Sequence, residues 1–265
     1  MSEAKGVALI TGASSGIGAI YADRLARQGY DLILVARRAD RLEQLSQQLR
    51  ERTGQTVETV PADLSNPDHL RSIETIVSND RRITLLVNNA GTGSTAPAIE
   101  ADVDTMSEMI LLNTNALMRL SYAAVPAFVA RGSGTIVNIA SIVAVAPELL
   151  NGVYGATKAF VLAFSQSLKR ELEGTGAKVQ VVLPGATATD FWDVAGISVD
   201  HLPSEIVMRA DELVDAALVG LARGETVTIP SLHDLARWDA FEDSRHHLAG
   251  ELSSNRPANR YLTAQ

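Results

Sequence analysis

The stretch Thr11–Gly18, TGASSGIG, decides the fold. It separates a short apolar run, Gly6–Ile10, from a helical pattern over about Ser15–Gln28. Glycines here let the backbone turn sharply and approach a pyrophosphate, whose charge the N-terminus of the following helix stabilises. Three glycines and two serines among eight residues are more than a plain tight turn requires. The stretch therefore predicts a phosphate-binding turn between a first strand and a first helix.

Strand-like and helical segments alternate along the rest of the chain. The strand-like runs are Gly6–Ile10, Asp31–Ala36, Thr56–Val60, Ile83–Val87, Thr135–Ala140, Lys178–Leu183 and Thr226–Ile229. The longest helical patterns cover about Asp102–Ala130 and Gly152–Glu173. About seven buried-type strands separated by helices predict an α/β fold, a doubly wound parallel sheet with helices on both faces. Ligands of such sheets collect at the carboxyl ends of the strands.

The composition is that of a folded protein, and we expect residues 1–265 to form a single domain. Hydrophobic residues make up 46% and charged residues 20% of the chain. A net charge of −8 argues against nucleic acid as a partner, and the absence of cysteine excludes disulfides and thiol catalysis. The polar N-terminus and the lack of an apolar stretch of about 18 residues predict a cytoplasmic protein without membrane contact. Adjacent histidines, His246 and His247, point to different faces, so no metal site is predicted.

The end of the second strand-like run discriminates between cofactors. A carboxylate there would hydrogen-bond the 2′-hydroxyl of an NAD ribose, whereas this sequence has Ala36 followed by Arg37 and Arg38. Two guanidinium groups offer bidentate partners to a 2′-phosphate. The alternative is that both arginines are solvated charges at a helix entry. Because the acid is missing and the bases are present, the sequence predicts NADP.

Ser141, Tyr154 and Lys158 form a candidate acid/base site. Ser141 follows the fifth strand-like run, and Tyr154 and Lys158 lie four positions apart on one face of the next helix. A lysine ammonium about 4 Å from a phenol is expected to bring the phenol pKa, ordinarily near 10, down towards neutrality, where a general acid/base works best. The alternative is a solvated pair on a helix surface. Ser141 and the glycine-rich turn favour the site, because they predict the same place independently.

The motifs and their order resemble the short-chain dehydrogenase/reductase family in its single-domain form. The matching positions are Thr11–Gly18, Asp63–Ser65, Asn88–Gly91, Asn113, Ser141, Tyr154, Lys158, Pro184–Gly185 and Thr189. They span nearly the whole chain. The resemblance implies a Rossmann fold and an NADP-dependent oxidoreductase that transfers a hydride between nicotinamide and a carbonyl or secondary alcohol.

The same resemblance implies catalytic roles. Tyr154 would exchange a proton with the substrate, and Ser141 would hydrogen-bond the carbonyl oxygen. Lys158 would lower the tyrosine pKa and hold the nicotinamide ribose. Asn113 would anchor a water that relays protons to Lys158, and Asn115 is a nearby rival that fits the family spacing less well.

A larger set of positions is implied in cofactor binding. It comprises Gly12, Ser14, Ser15, Gly16, Ile17, Gly18, Arg37, Arg38, Asp63, Leu64, Asn89, Ala90, Gly91, Tyr154, Lys158, Pro184, Gly185, Thr187 and Thr189. Asp63 and Leu64 would flank the adenine, and Asn88 would brace strands instead. Thr187 and Thr189 are equal candidates for the partner of the nicotinamide carboxamide.

Residues 186–210 are the expected substrate lid. Phe191 and Trp192 make it apolar, and they either line a pocket for a hydrophobic small molecule or pack the lid against the body. Residues 231–265 form a tail without a clear pattern, unlike many family members, which stop soon after the last strand. The tail puts the family's tetramer contact in doubt. A homodimer through the two long helices remains a hypothesis beside a homotetramer.

Three other functions compete with this interpretation. A sensor that binds NADP without turnover would lack the tyrosine or the lysine. An S-adenosylmethionine methyltransferase would have an acidic residue after strand two, where Ala36 and Arg37 stand. An epimerase or dehydratase on the same scaffold would have a larger C-terminal region than the 34 residues that follow Ser231.

Overall fold

Seven parallel strands form the main sheet in a computed structural model, which describes residues 5–262. The strands of the chain are β1 (Val7–Thr11), β2 (Asp31–Ala36), β3 (Val57–Pro61), β4 (Ile83–Asn88), β5 (Gly134–Ile139), β6 (Ala177–Val182), β7 (Thr187–Ala188), β8 (Met208–Arg209) and β9 (Val227–Thr228). The main sheet has the order β3-β2-β1-β4-β5-β6-β9, while β7 and β8 pair separately. The predicted doubly wound parallel sheet is confirmed.

Helices connect the strands of this sheet. They are α1 (Gly16–Arg27), α2 (Ala39–Thr53), α3 (Pro67–Asn79), α4 (Val103–Ile110), α5 (Leu117–Arg131), α6 (Gly152–Glu171), α7 (Phe191–Ala195), α8 (Ala210–Arg223) and α9 (Leu235–Ala249). A π-helical turn over Leu111–Ala116 joins α4 to α5. The pattern over 102–130 therefore corresponds to two α-helices with a widened turn between them.

Alternate residues of each central strand face two separate cores. Ala8 and Ile10 of β1 pack with apolar residues of α1, α2 and α8, whereas Val7 and Leu9 pack with residues of α3, α5 and α6. This division follows from the two-residue period of a strand. It also explains why β2, with the sequence DLILVA, is apolar almost throughout, since helices cover both of its faces.

Local signals in the sequence set the start of α3, which follows β3, and the end of α2, which precedes β3. Asn66 caps α3, because its Oδ1 accepts hydrogen bonds from the backbone N–H groups of Asp68 and His69. Pro67 occupies the first helical position. Helix α2 ends at Gly54, whose φ of 72° lies in the left-handed region. Both ends therefore follow from local signals of the sequence.

The chain divides into two compact units after Ser231. The second unit contains α9, for which the sequence has no periodic signal. No residue of α9 is buried, and its apolar residues do not share one face, so the pattern that normally predicts a helix is missing. Among residues 5–262, no helix combines the length and the apolarity that crossing a membrane requires.

Candidate active site

The strand order of the main sheet reverses between β1 and β4, and open α/β sheets bind ligands at such a reversal. The turn Thr11–Gly18 follows β1 at this point, and Asn88–Gly91 follows β4 beside it. The catalytic candidates lie after β5, and the start of the expected lid lies after β6. The topology therefore gathers the predicted site residues at one edge of the sheet.

Close packing shapes the glycine-rich turn. Gly12 and Gly16 have left-handed φ angles of 67° and 54°. A Cβ atom on Gly18 would lie 2.4 Å from the carbonyl oxygen of Gly12, which is too close for any side chain. Asn89 holds the turn from the side of β4, since its Nδ2 donates to the carbonyl oxygens of Thr11 (3.0 Å) and Gly12 (3.2 Å). The Asn89 amide thus stabilises the conformation of the glycine-rich turn.

The start of α1 offers donors to an anion. Ser15 is the N-cap, its side chain makes no capping hydrogen bond, and the first turn of α1 has no acidic residue. Arg38 reaches across from the end of β2 and donates to the hydroxyls of Ser15 (3.0 Å) and Ser14 (3.4 Å). Arg37 and Arg38 are both exposed. Phosphate oxygens accept hydrogen bonds from backbone N–H groups, hydroxyls and guanidinium groups.

The predicted adenine contacts follow β3. Leu64 is buried, and Asp63 beside it is half-buried. The Oδ1 atom of Asp63 accepts a hydrogen bond from the backbone N–H of Ser65 at 2.9 Å, which holds the carboxylate at the sheet edge. On the neighbouring edge after β4, the backbone N–H of Ala90 donates to Oγ1 of Thr11 at 3.0 Å. The segment after β4 therefore contacts the start of the glycine-rich turn, whereas Asp63 and Leu64 follow β3, two strands away from β1.

Ser141, Tyr154 and Lys158 meet at the end of β5, and they are only 8%, 6% and 6% exposed. Ser141 follows β5, and its hydroxyl is hydrogen-bonded to that of Tyr154, in the first turn of α6. The Nζ atom of Lys158 donates to the carbonyl oxygen of Ile139 at 3.0 Å and lies 5.7 Å from the centre of the Tyr154 ring. The structure thus brings together the three residues of the predicted acid/base site and buries them.

Burial controls the protonation of these groups. Burial raises the pKa of Tyr154 to about 12, and the hydrogen bond with Ser141 acts in the opposite direction. Burial also lowers the pKa of Lys158 to about 8. The expected fall of the tyrosine pKa towards neutrality is therefore wrong for this chain. Removal of water from the phenol outweighs the opposing effect of the hydrogen bond with Ser141.

Asn113 lies in the π-helical turn and is 1% exposed. Its Oδ1 accepts a hydrogen bond from the N–H of Thr92, and its Nδ2 donates to the carbonyl oxygen of Thr92, both at 2.9 Å. A Cβ atom on Gly91 would lie 3.1 Å from Oδ1 of Asn113 and 3.6 Å from Nζ of Lys158, so these side chains approach each other there. π-Turns recur at functional sites. This one buries Asn113 and leaves its rival Asn115 half-buried.

The loop after β6 lies against Ser141. The carbonyl oxygen of Pro184 accepts a hydrogen bond from the Ser141 hydroxyl at 3.4 Å. Thr187 is buried, and its Oγ1 donates to the carbonyl oxygen of Gly185 at 3.0 Å. The predicted nicotinamide contacts Pro184, Gly185 and Thr187 thus stand beside Ser141.

Thr189 and Asp190 extend this loop towards the cofactor side. A Cβ atom on Gly16 would lie 3.3 Å from Cγ2 of Thr189, so Thr189 faces the glycine-rich turn. The carboxylate of Asp190 lies 3.3 Å from Nη1 of Arg41 in α2. Thr187 and Thr189 therefore both border the site, and both remain candidates for the carboxamide contact.

An apolar wall stands next to the tyrosine. We use this name for a cluster of buried and half-buried side chains around Tyr154, which comprises Met106, Met109, Val143, Ala101, Leu150, Val153 and Phe191. The ring of Phe191 is the closest aromatic neighbour described, with its centre 5.6 Å from that of Tyr154. A ligand that reached the Tyr154 hydroxyl would pass apolar surface.

Some residues that position the site belong to no motif. Asn151 caps α6 by accepting a hydrogen bond from the N–H of Tyr154 at 3.3 Å, and its Nδ2 donates to the carbonyl oxygen of Ala96 at 2.5 Å. Thr157 accepts a hydrogen bond from Nδ2 of Asn113 at 3.1 Å. An asparagine before a helix is a readable capping signal, whereas a threonine within a helix is not.

Histidine and carboxylate side chains do not cluster in the described part of the chain. No group of three or more of them within residues 5–262 is placed to hold a metal ion. The ring of His247 contacts the carbonyl oxygen of Asp243, and that of His246 contacts the guanidinium group of Arg245. These contacts are made within α9.

Comparisons with known proteins agree with one another. The family model for short chain dehydrogenase matches residues 6–196. A short-chain dehydrogenase from Sphingobium yanoikuyae, solved in complex with NADPH, is 50% identical, with a TM-score of 0.94 over 97% of this chain and 100% of that chain. The bulky-bulky ketone specific alcohol dehydrogenase from Comamonas testosteroni is 44% identical, with a TM-score of 0.91 over 98% of this chain and 100% of that chain. Sulfoacetaldehyde reductase 2 from Chromohalobacter salexigens is 34% identical over 251 residues, which are 90% of this chain and 98% of that protein.

Proposed function

Because the chain belongs to the short-chain dehydrogenase family, we propose that it is an NADP-dependent oxidoreductase that interconverts a carbonyl compound and an alcohol, with Tyr154 as the general acid/base. The observation that carries the proposal is the joint burial of Ser141, Tyr154 and Lys158 at the sheet edge that also holds the glycine-rich turn. A buried phenol, hydroxyl and ammonium can hold and move a proton without interference from water.

The donor set at the cofactor side fits a dinucleotide with a 2′-phosphate. The N-terminus of α1 carries no competing carboxylate in its first turn. Arg38 spans Ser14 and Ser15, so it can bind a phosphate where a carboxylate would repel one. The NADPH complex of the Sphingobium relative supports the same assignment. Bound NADPH would supply the hydride in the reducing direction.

The chain's own residues would handle the proton. In reduction, the Tyr154 hydroxyl gives its proton to the carbonyl oxygen, while the Ser141 hydroxyl holds that oxygen in place. The hydroxyl of Ser141 and the charge of Lys158, 5.7 Å from the ring, stabilise the phenolate that remains. A tyrosine pKa of about 12 keeps the phenol protonated at neutral pH. Reduction needs that form of the phenol.

The apolar wall supports a hydrophobic small molecule as the substrate. Met106, Val143 and Phe191 offer dispersion contacts and few polar groups, which suits a ketone with apolar substituents better than a small charged aldehyde. The ketone specificity named for the Comamonas relative points the same way. Residues 186–210 would form the lid, since Phe191 and the catalytic tyrosine are in van der Waals range through their rings.

We further propose a homodimer or homotetramer. Ile110, Leu111, Tyr122 and Phe160 are exposed apolar residues on or between α4, α5 and α6, the helices of the hypothetical dimer face. Light scattering at micromolar protein measures the mass directly, and a monomer would exclude the proposal. The cytoplasmic location stays a prediction from the sequence.

The test pairs binding with turnover. We expect wild type and Tyr154→Phe to bind NADPH more tightly than NADH in a fluorescence titration. Only wild type should consume NADPH rapidly with a panel of ketones, and the variant should be slower by about 10³-fold. Tyr261→Phe, which removes the hydroxyl of an exposed tyrosine outside the proposed dimer face, is the control and should keep full activity. NADPH binding without turnover of any carbonyl in wild type would favour the sensor instead.

A further inference from the structure

Phe191 holds a position at the candidate reaction centre that no motif predicts. It is the first residue of α7, and its ring centre lies 5.6 Å from that of Tyr154 and 5.5 Å from that of Trp192. The side chain is half-buried and packs against the cluster of Met106 and Val143. Of the described aromatic rings, this one is the nearest to the ring of Tyr154.

Gly93 forms the seat of that ring. A Cβ atom at position 93 would lie 2.3 Å from Cζ and 2.7 Å from Cε2 of Phe191, closer than real Cβ contacts come. Gly93 does not have a positive φ, so backbone conformation does not require glycine there. The residue is a glycine because the far end of the Phe191 ring occupies the place of a side chain.

Hydrogen bonds hold both members of this contact. On the side of Gly93, the backbone of Thr92 is bound twice by the buried Asn113 amide, at 2.9 Å each. The N–H and Oγ1 of Thr95 donate to the carbonyl oxygen of Ala195 at 3.0 and 2.9 Å, which ties the segment that contains Gly93 to the end of α7. On the side of Phe191, Nε1 of Trp192 donates to the carbonyl oxygen of Thr187 at 2.9 Å, which fixes the start of α7. The ring therefore stands in a rigid frame.

We infer that Gly93 and Phe191 form a size-matched pair that limits how large a substituent a ketone can place beside Tyr154. The inference rests on the proposed function and names its specificity determinant. The ring atoms Cε2 and Cζ face Gly93, so shortening Phe191 removes the atoms that fill this corner. Enlarging Gly93 instead forces the ring out of its seat, into the space beside the tyrosine.

A four-protein cycle tests the pair: wild type, Gly93→Ala, Phe191→Leu and the double variant. For each, kcat/KM is measured with acetophenone, which has one small substituent, and with benzophenone, which has two large ones. We expect Phe191→Leu to raise the benzophenone-to-acetophenone ratio about tenfold. Gly93→Ala should lower kcat/KM for both ketones about tenfold or more. The double variant should return to within about threefold of Phe191→Leu, because leucine lacks the atoms that collide with the new methyl group.

The controls separate this inference from the proposed function. Phe241→Leu removes the same ring atoms from a phenylalanine that is exposed on α9, and it should leave the ratio unchanged. If wild type reduces both ketones but Phe191→Leu does not change the ratio, or the two substitutions act additively, the pair does not set size. If wild type binds NADPH yet reduces neither ketone, the proposed substrate class fails and the size-setting role fails with it. Equal NADPH affinity in all four proteins confirms that each is folded around its cofactor site.

Discussion

The predicted site residues differ in solvent exposure between two halves of the sheet edge. One half is formed by β1–β3 and the other by β4–β6. In the first half, Arg37 and Arg38 are exposed, and Arg38 binds hydroxyls of the glycine-rich turn. In the second half, Asn113, Tyr154 and Lys158 are at most 6% exposed. Exposed positive charges attract an anion, and one such side chain can be substituted without disturbing the others. Buried polar groups depend on one another for hydrogen bonds, because their neighbours exclude water from them.

Hydrogen bonds between buried amides make the second half rigid. Nδ2 of Asn88 donates to Oγ of Ser121 (3.0 Å) and to Oδ1 of Asn138 (2.9 Å). Nδ2 of Asn138 donates in turn to Oγ of Ser165 at 2.9 Å. This ladder joins β4 and β5 to α5 and α6, and Asn88 braces the two strands as expected. If the comparison between the halves is right, substitutions in the buried half should change stability and activity together.

The largest effect is expected for Lys158→Met. Burial lowers the pKa of Lys158 from 10.5 to about 8, so at pH 7 the folded protein carries a desolvated charge at a cost of roughly 3 kcal/mol. Methionine removes that cost but leaves the carbonyl oxygen of Ile139 without its donor, at roughly 1–2 kcal/mol. We expect the variant to melt about 2–6 °C higher at pH 7 and to lose about 100-fold or more in kcat.

The pH dependence tests the cause of this gain. Because the folded pKa of Lys158 lies below its unfolded value, its contribution to stability is lowest below pH 8 and recovers as the pH rises to 10.5. The advantage of Lys158→Met should therefore shrink between those pH values in nucleotide-free protein. Lys169→Met, at an exposed ion pair with Glu173, is the control and should show neither change. A variant less stable than wild type at pH 7 would contradict the cost assigned to the buried charge.

The sequence predicts the fold correctly wherever a buried element has apolar residues at regular spacing. Strand β2 lies at the predicted Asp31–Ala36, and α1 begins and ends within one residue of its predicted bounds. The π-turn at Leu111–Ala116 was not predicted, because one extra residue per turn hardly changes the spacing of apolar residues in a helical pattern. Helix α9 escaped as well, since it buries nothing and so has no apolar face to detect.

The site could be read in part for a related reason. Ser141 was predictable because it follows a strand end, and topology alone brings the carboxyl ends of the strands together. Asp63 was expected only from the resemblance to the short-chain dehydrogenase/reductase family. The contact between Gly93 and Phe191 was not, because it depends on how two segments 98 positions apart in sequence approach each other. The high pKa of Tyr154 was also missed, since the spacing of Tyr154 and Lys158 predicts their attraction but not the water lost around them.

In the exposed half, Arg38→Ala should produce a smaller and more selective effect. Loss of one solvent-screened guanidinium should weaken NADPH binding about tenfold and leave NADH binding unchanged. The difference in NADPH affinity between wild type and Arg38→Ala should become smaller as salt is raised, because the contact of Arg38 with the phosphate is exposed to solvent. Arg71→Ala, which removes an exposed arginine paired with Asp68 on α3, is the control. Equal weakening of both nucleotides would show that Arg38 acts by bracing Ser14 and Ser15, and the exposed half would then resemble the buried one.

The smallest effect should come from the pair that bridges the two halves. Arg41 in α2 and Asp190 before α7 are 3.3 Å apart, with side chains 45% and 63% exposed. Exposed ion pairs contribute about 0–1 kcal/mol, so Asp190→Asn should hardly change the melting temperature. It removes a negative charge near the arginines and should therefore tighten NADPH binding about twofold at low salt, an effect that titration in high salt should abolish.

Arg41→Ala distinguishes a charge effect from a mechanical one in the same pair. If the pair acts only through charge, Arg41→Ala should weaken NADPH binding slightly, opposite in sign to Asp190→Asn, and neither variant should change kcat. If instead both variants lower kcat tenfold with equal nucleotide affinity, the pair positions the adjacent Phe191, and the halves would be mechanically coupled across the cofactor side. The geometry favours the charge effect, because Phe191 is already held by Trp192 and Gly93 without help from Asp190.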